Sequence, residues 1–149
     1  MMLSELVSTA EAVAATSSRL AKIDALSQLL AQADADELPA LTGLLLAAPR
    51  QGRLGVGWRG LSALDVTHAA DATLTITDVD DALDTLAHTS GSGSTAARSA
   101  ALTALAARAT APEWDFLSRS MRGASKIMRA GQTLRARQTI RAEQAMDAA

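Results

Sequence analysis

A chain of 149 residues with 48% hydrophobic but only 2% aromatic side chains has room for one domain, whose core must be built from Leu, Ala, Ile, Val and Met. The absence of cysteine excludes a disulfide framework and a thiolate metal site, and it favours a reducing, cytoplasmic setting. The longest apolar run, Leu44 to Ala48, is too short to span a bilayer and the N-terminus lacks the order of a signal peptide, so a soluble protein without a membrane partner is expected.

Apolar residues recur at helical spacing through Leu3, Leu6, Val7 and Ala10, and again through Leu20, Ile23, Leu26, Leu29 and Leu30. Thr16, Ser17 and Ser18 separate the two amphipathic helices and supply the second N-cap. Asp34 with Glu37 has the form of a capping box, and Pro39 fits only the first turn of a third helix reaching about Ala47. Pro49 stops that helix. Residues 65–76 read as a polar connection, with Thr77 capping a helix from about Asp78 to His88. "TSGSGST" (89–95) breaks it, and further helices are expected over Thr95–Ala109, Ala111–Arg122 and about Gln132–Asp147. "TLTIT" (73–77) is too short and isolated to carry a sheet, so the fold class is all-α.

A shift of 76 residues exposes an internal repeat. Leu3 falls on Val79, Val7 on Leu83, Leu26 on Leu102, Glu37 on Glu113 and Leu41 on Leu117, without a gap. Matched caps are harder to obtain by chance than matched alanines. The expectation is a single domain over 1–149 made of two helical repeats, about 1–57 and 77–133, related by a pseudo-two-fold axis.

"PRQGRLGVGW" (49–58) interrupts this helical chain with three glycines and two arginines. Glycine permits positive φ and leaves amides unshielded, and arginine can fork onto phosphate oxygens. The stretch is neither a P-loop nor a dinucleotide fingerprint, because no Gly-Lys-Ser/Thr ends it and no strand precedes it. The repeat carries Arg50, Arg53 and Gly55 onto Lys126, Arg129 and Gly131, so both halves end in a cationic, glycine-bearing loop. Such a pair suits the two backbones flanking a DNA groove, contacts that position a protein without reading sequence. The formal charge of −2 conceals a supporting asymmetry: residues 1–118 carry net −7 and residues 119–149 net +5.

Catalytic readings are weak. His68 and His88 stand far apart without cysteine or a carboxylate cluster of metal-ligand spacing, and both are expected at the surface. Asp78, Asp80, Asp81 and Asp84 are read as capping and dipole residues at a helix start. Trp58, Trp114 and Phe116 are read as core. No catalytic group and no metal ligand is assigned.

The stretches "VAATSSRLAKIDALSQLL" (13–30), "RQGRLGVGW" (50–58), "LTITDVDDALDTLAHTSGSGS" (74–94) and "RATAPEWDFLSRSMRG" (108–123) together resemble the N-terminal DNA-binding domain of ATP-dependent DNA ligases, especially the actinobacterial type. The resemblance covers about 1–123. It implies an all-helical, pseudo-two-fold domain that touches the minor-groove backbone of duplex or nicked DNA in repair and replication, with a nucleoid-associated location. It also implies that Arg50, Gln51, Gly52, Arg53 and Gly55 contact DNA; Gly57 of the same loop and, by the repeat register alone, Lys126, Arg129 and Gly131 complete the expected set.

After a helix like 112–122 the family usually has Gly-Glu-Leu-Arg-Gln-Gly, whereas here Gly123 is followed by "ASKIMRAGQTLRARQTI", so an atypical basic helix is expected over 124–149. Its lysines, Lys22 and Lys126, are followed by "IDA" and "IMR", so neither forms the Lys-x-Asp-Gly motif on which the family adenylates itself. The implied role is non-catalytic binding, inactive alone, with ATP and Mg used only by a separate ligase catalytic core. Two other readings stay open: a helical protein-interaction or regulatory module, and a truncated or frameshifted gene product without activity.

Overall fold

The computed structural model describes residues 1–124, so the basic tail, with Lys126, Arg129, Gly131 and the helix expected over 132–147, lies outside the described residues. Among the described residues seven helices run in order: α1 (Leu3–Ala15), α2 (Arg19–Gln32), α3 (Leu38–Leu45), α4 (Trp58–Ser62), α5 (Ile76–His88), α6 (Ser94–Arg108) and α7 (Ala111–Met121). Among the described residues the only extended pairing is an isolated antiparallel bridge between Met2 and Thr75. The domain is all-α.

Local chemistry sets most helix starts. The Ser18 hydroxyl accepts the Ala21 amide at 3.2 Å and opens α2, and Pro39 lies in the first turn of α3. Thr110 and Glu113 exchange hydrogen bonds at the start of α7, with the Glu113 carboxylate accepting from the Thr110 amide at 2.9 Å. Helix α5 begins earlier than expected. Its cap is Thr75, not Thr77: the Thr75 hydroxyl accepts the Asp78 amide at 3.1 Å and Asp78 accepts the Thr75 amide at 3.0 Å. This register buries Leu74 and Ile76 completely, which a start at Asp78 would leave to a loop.

The box expected at Asp34 and Glu37 forms only in part. Glu37 Oε2 accepts the Asp34 amide at 3.2 Å, but α3 starts at Leu38 and Glu37 Oε1 takes the Met1 ammonium at 2.6 Å. Helix α3 ends at Leu45, two residues before the expected Ala47, because Ala47 turns the chain with φ +52°. The carbonyl of Gly43 then accepts the Ala48 amide at 2.8 Å. The short α4 lies mostly in a stretch, 59–64, to which the sequence reading assigns no element.

The core joins the two halves. Leu3 and Leu6 of α1, Leu41 of α3, Leu83 and Leu86 of α5 and Leu117 of α7 are all essentially inaccessible to solvent and belong to one cluster. Helix α1 packs on α7, α5 packs on α3, and α3 packs on α7. A buried hydroxyl reinforces the last contact, with Ser120 Oγ donating to the Leu44 carbonyl at 2.9 Å. Helix α2 is amphipathic in pattern but peripheral in fact: it packs on α1, buries Leu29 fully, and leaves Leu20 79% and Ile23 51% exposed.

Two further expectations are corrected. Trp58 is 64% exposed instead of lying in the core, because it sits on α4 at the molecular edge. Trp114 and Phe116 are half-buried and pack against the core as expected. His68 is not a surface residue: it is half-buried, its Nδ1 lies 2.9 Å from the Ala106 carbonyl, and its ring lies 6.4 Å from that of Trp114. It ties the connection before α5 to α6. His88 is exposed.

Candidate nucleic-acid interface

The loop between α3 and α4 contains six of the residues that the sequence marks as DNA contacts, and it divides them into two groups. Arg50 and Gln51 point to α5. The Arg50 guanidinium donates from Nε to Asp80 Oδ1 at 3.2 Å, and from Nη2 to Asp80 Oδ2 at 2.9 Å and Asp84 Oδ1 at 2.8 Å. The Gln51 Nε2 donates to Asp80 Oδ1 at 2.7 Å and Asp84 Oδ1 at 2.9 Å. The two aspartates lie four residues apart on α5 and therefore share a face. Asp80 and Asp84 thus have a role beyond helix capping, which only Asp78 of the acidic run fulfils through its hydrogen bonds with Thr75.

These contacts shift charge equilibria. The Gln51 amide, and then the Arg50 guanidinium, hold the Asp84 carboxyl below the usual aspartate range. The hydrogen bonds that Arg50 donates to Asp80 raise its guanidinium above its ordinary value. The pairs are partly exposed, with side-chain accessibilities of 43% for Arg50 and 40% for Asp84, so their value lies in geometry more than in stability.

The second group faces solvent. Gly52, Arg53, Gly55 and Gly57 are exposed, while Leu54 between them is buried and anchors the loop in the core. Gly52 at φ +78° and Gly55 at φ +66° adopt the left-handed region that side chains disfavour. Gly52 is committed internally, its amide donating to the Pro49 carbonyl at 2.8 Å. The next five amides, of Arg53, Leu54, Gly55, Val56 and Gly57, have no acceptor among the described residues. Nor does the Arg53 guanidinium have an ion-pair partner there.

Arg98 of α6 fixes the far side of the loop. It donates from Nη2 to the Leu54 carbonyl and from Nη1 to the Leu86 carbonyl at 2.8 Å, so one guanidinium joins the loop to the end of α5. A side chain on Gly55 would meet Arg98 Nη2 at 3.3 Å. Between the loop and the end of α7 lies an open cleft of about 670 Å³, bordered by Arg53, Gly55, Gly57, Arg122 and Gly123. The Arg122 guanidinium stacks over the Trp58 ring, 4.7 Å from its centroid, at the rim of this face.

A run of unshielded amides beside the Arg53 guanidinium and an open cleft is chemically an anion receptor. Sequence reasoning missed Asp80, Asp84, Arg98 and Arg122 as parts of it. Arg98 meets the Leu54 carbonyl across 44 residues, a contact with no local signal in the sequence.

The chain matches the family described as DNA ligase N terminus over residues 59–136. It is 54% identical over 123 residues to a probable DNA ligase of Pseudarthrobacter chlorophenolicus, 44% to one of Nocardia farcinica and 41% to one of Rhodococcus jostii. Each match covers 83% of this chain and 24% of the relative, so the chain spans about a quarter of the length of these curated relatives. No solved structure matches the chain.

Proposed function

The chain belongs to the family of DNA ligase N-terminal domains, and we propose that it contributes sequence-independent binding of duplex DNA, nicked duplex included, without performing the ligation chemistry. The observation that carries this reading is the run of five loop amides that have no acceptor among the described residues, together with the Arg53 guanidinium, which has no ion-pair partner among them. Phosphate oxygens fit such a surface, because amides and guanidinium groups donate to them without contacting base edges. Arg53 and the backbone amides of Gly55 and Gly57 form the contact from this loop, while Gly52, whose amide is spent on the Pro49 carbonyl, supplies the turn. Lys126, Arg129 and Gly131 form the matching contact of the second half.

Two observations support reading the halves as pseudo-two-fold repeats. Shifted by 76 residues, α2 would occupy 95–108, and α6 spans Ser94–Arg108. The packing is also exchanged, α1 lying on α7 and α5 on α3. In this reading ATP and Mg act in a ligase catalytic core beyond these residues, since Lys22 and Lys126 do not carry the Lys-x-Asp-Gly motif. The setting is cytoplasmic and nucleoid-associated, in repair or replication.

The test is a titration of the chain against nicked, intact and single-stranded DNA at two salt concentrations. Binding to duplex that weakens with salt is the expected result. Absence of duplex binding at low salt would overturn the reading and leave the interaction-module alternative.

A further inference from the structure

The DNA-facing loop belongs to the first half of the chain, yet the groups that hold it belong to the second. Asp80 and Asp84 of α5 grip Arg50 and Gln51 on one side of Gly52, and Arg98 of α6 grips the Leu54 carbonyl on the other. Leu54 itself is sunk in the core between these points. The loop is therefore fixed at its start, its middle and its turn, while the amides of 53–57 and the Arg53 side chain stay uncommitted.

Building on the DNA-binding reading above, we propose that Asp80 and Asp84 are positioning residues for DNA binding, and that Arg50 and Gln51 act through them and not as phosphate contacts. Two carboxylates beside a DNA site would be expected to repel the polyanion. Their cost is limited because each is covered by donors: Arg50 reaches both, and Gln51 reaches both from a half-buried site. The return is preorganisation. A free glycine-rich loop must lose conformational entropy when it binds, whereas a clamped one has lost it on folding. Arg98 acts in the same way, with Gly55 kept small so that its guanidinium can reach the loop carbonyl.

The proposal reverses the sign expected from charge. Replacing Asp80 and Asp84 with alanine removes two negative charges, so simple electrostatics predicts tighter duplex binding. Positioning predicts the opposite: an affinity about tenfold weaker, the scale of re-ordering about one backbone residue on binding. Tighter or unchanged binding in D80A/D84A overturns the proposal.

Asp84→Asn, at a partly exposed position, is the milder variant should the double one fold poorly. It removes a charge while keeping an oxygen acceptor, and binding no tighter than wild type is the expected result. A tighter complex counts against positioning. Trypsin cleavage after the exposed Arg53, followed without DNA, reads the clamp directly: the double variant should be cut at least several-fold faster than wild type. Equal rates overturn the clamp whether or not DNA binds, whereas failure of wild type to bind duplex overturns the DNA-binding reading alone.

Discussion

The guanidinium of Arg122, the residue that ends α7, lies 4.7 Å from the centre of the Trp58 ring on α4. The stack joins the last described helix to the loop face and presents a cation and an aromatic ring side by side at the edge of the cleft. An exposed contact of this kind contributes about 0.5–1 kcal/mol to stability. Arg122→Ala is therefore expected to change urea stability by no more than about 1 kcal/mol, while weakening duplex binding measurably. A loss of stability with no loss of binding would assign Arg122 to the fold instead of the interface.

Gly43 makes the sharpest packing prediction. A methyl group there would lie 2.8 Å from the Ala48 carbonyl oxygen and 3.1 Å from the Arg50 amide nitrogen, both of them backbone atoms. Gly43→Ala should destabilise the protein by about 1–3 kcal/mol, the usual cost of overpacking. Gly57→Ala is the control, because nothing lies within 4 Å of a Cβ at that position. Urea denaturation of the two variants distinguishes them.

Ser120 is 3% exposed, and its hydroxyl supplies the buried link from α7 to the Leu44 carbonyl. Ser120→Ala leaves that carbonyl without the hydroxyl donor. The expected loss is about 1–2 kcal/mol by chemical denaturation. No change would show that the Ala47 amide, which already donates to the same carbonyl at 3.3 Å, is enough to satisfy it.

Stability should fall in acid for a specific reason. The Thr75 amide and hydroxyl, with Arg108, hold Asp78 below its ordinary value of 3.8, and Gln51 with Arg50 does the same for Asp84. A carboxyl whose folded pKa is depressed contributes stability above its unfolded pKa and loses it as pH falls through the folded one. The contribution of both groups is thus complete at neutral pH and decays below about pH 4. Asp78→Asn should flatten the acid limb of a stability profile recorded from pH 7 to pH 2. An unchanged limb would show that other carboxyls set it.

Most of the helices were legible in sequence because their signals are local. Ser18 caps three residues ahead of Ala21, Pro39 can sit only in a first turn, and apolar spacing marks Leu3, Leu6 and Val7 as one face. The same locality explains the errors. Thr75 and Thr77 both precede an acidic residue within reach, and only the burial of Leu74 and Ile76 against the rest of the core selects the first. Trp58 looks like a core residue by type, but the brevity of α4 puts it at the rim. The loop is legible from its glycines and arginines. Its division into an inward and an outward group is not, because Arg50 meets Asp80 and Asp84 across 30 and 34 residues. At a helix start, aspartates already have a sufficient local explanation. Long-range pairing of charges leaves no periodicity to read.

The central claim is that Arg53 and the open amides beside it meet phosphate. It is tested most directly by the salt dependence of duplex binding for wild type and Arg53→Ala. Loss of one phosphate contact should make the slope of log K against log salt shallower by about 0.9, together with a weaker complex. A variant with the slope and affinity of wild type would contradict the account, because the one outward arginine of the loop would then lie away from the DNA.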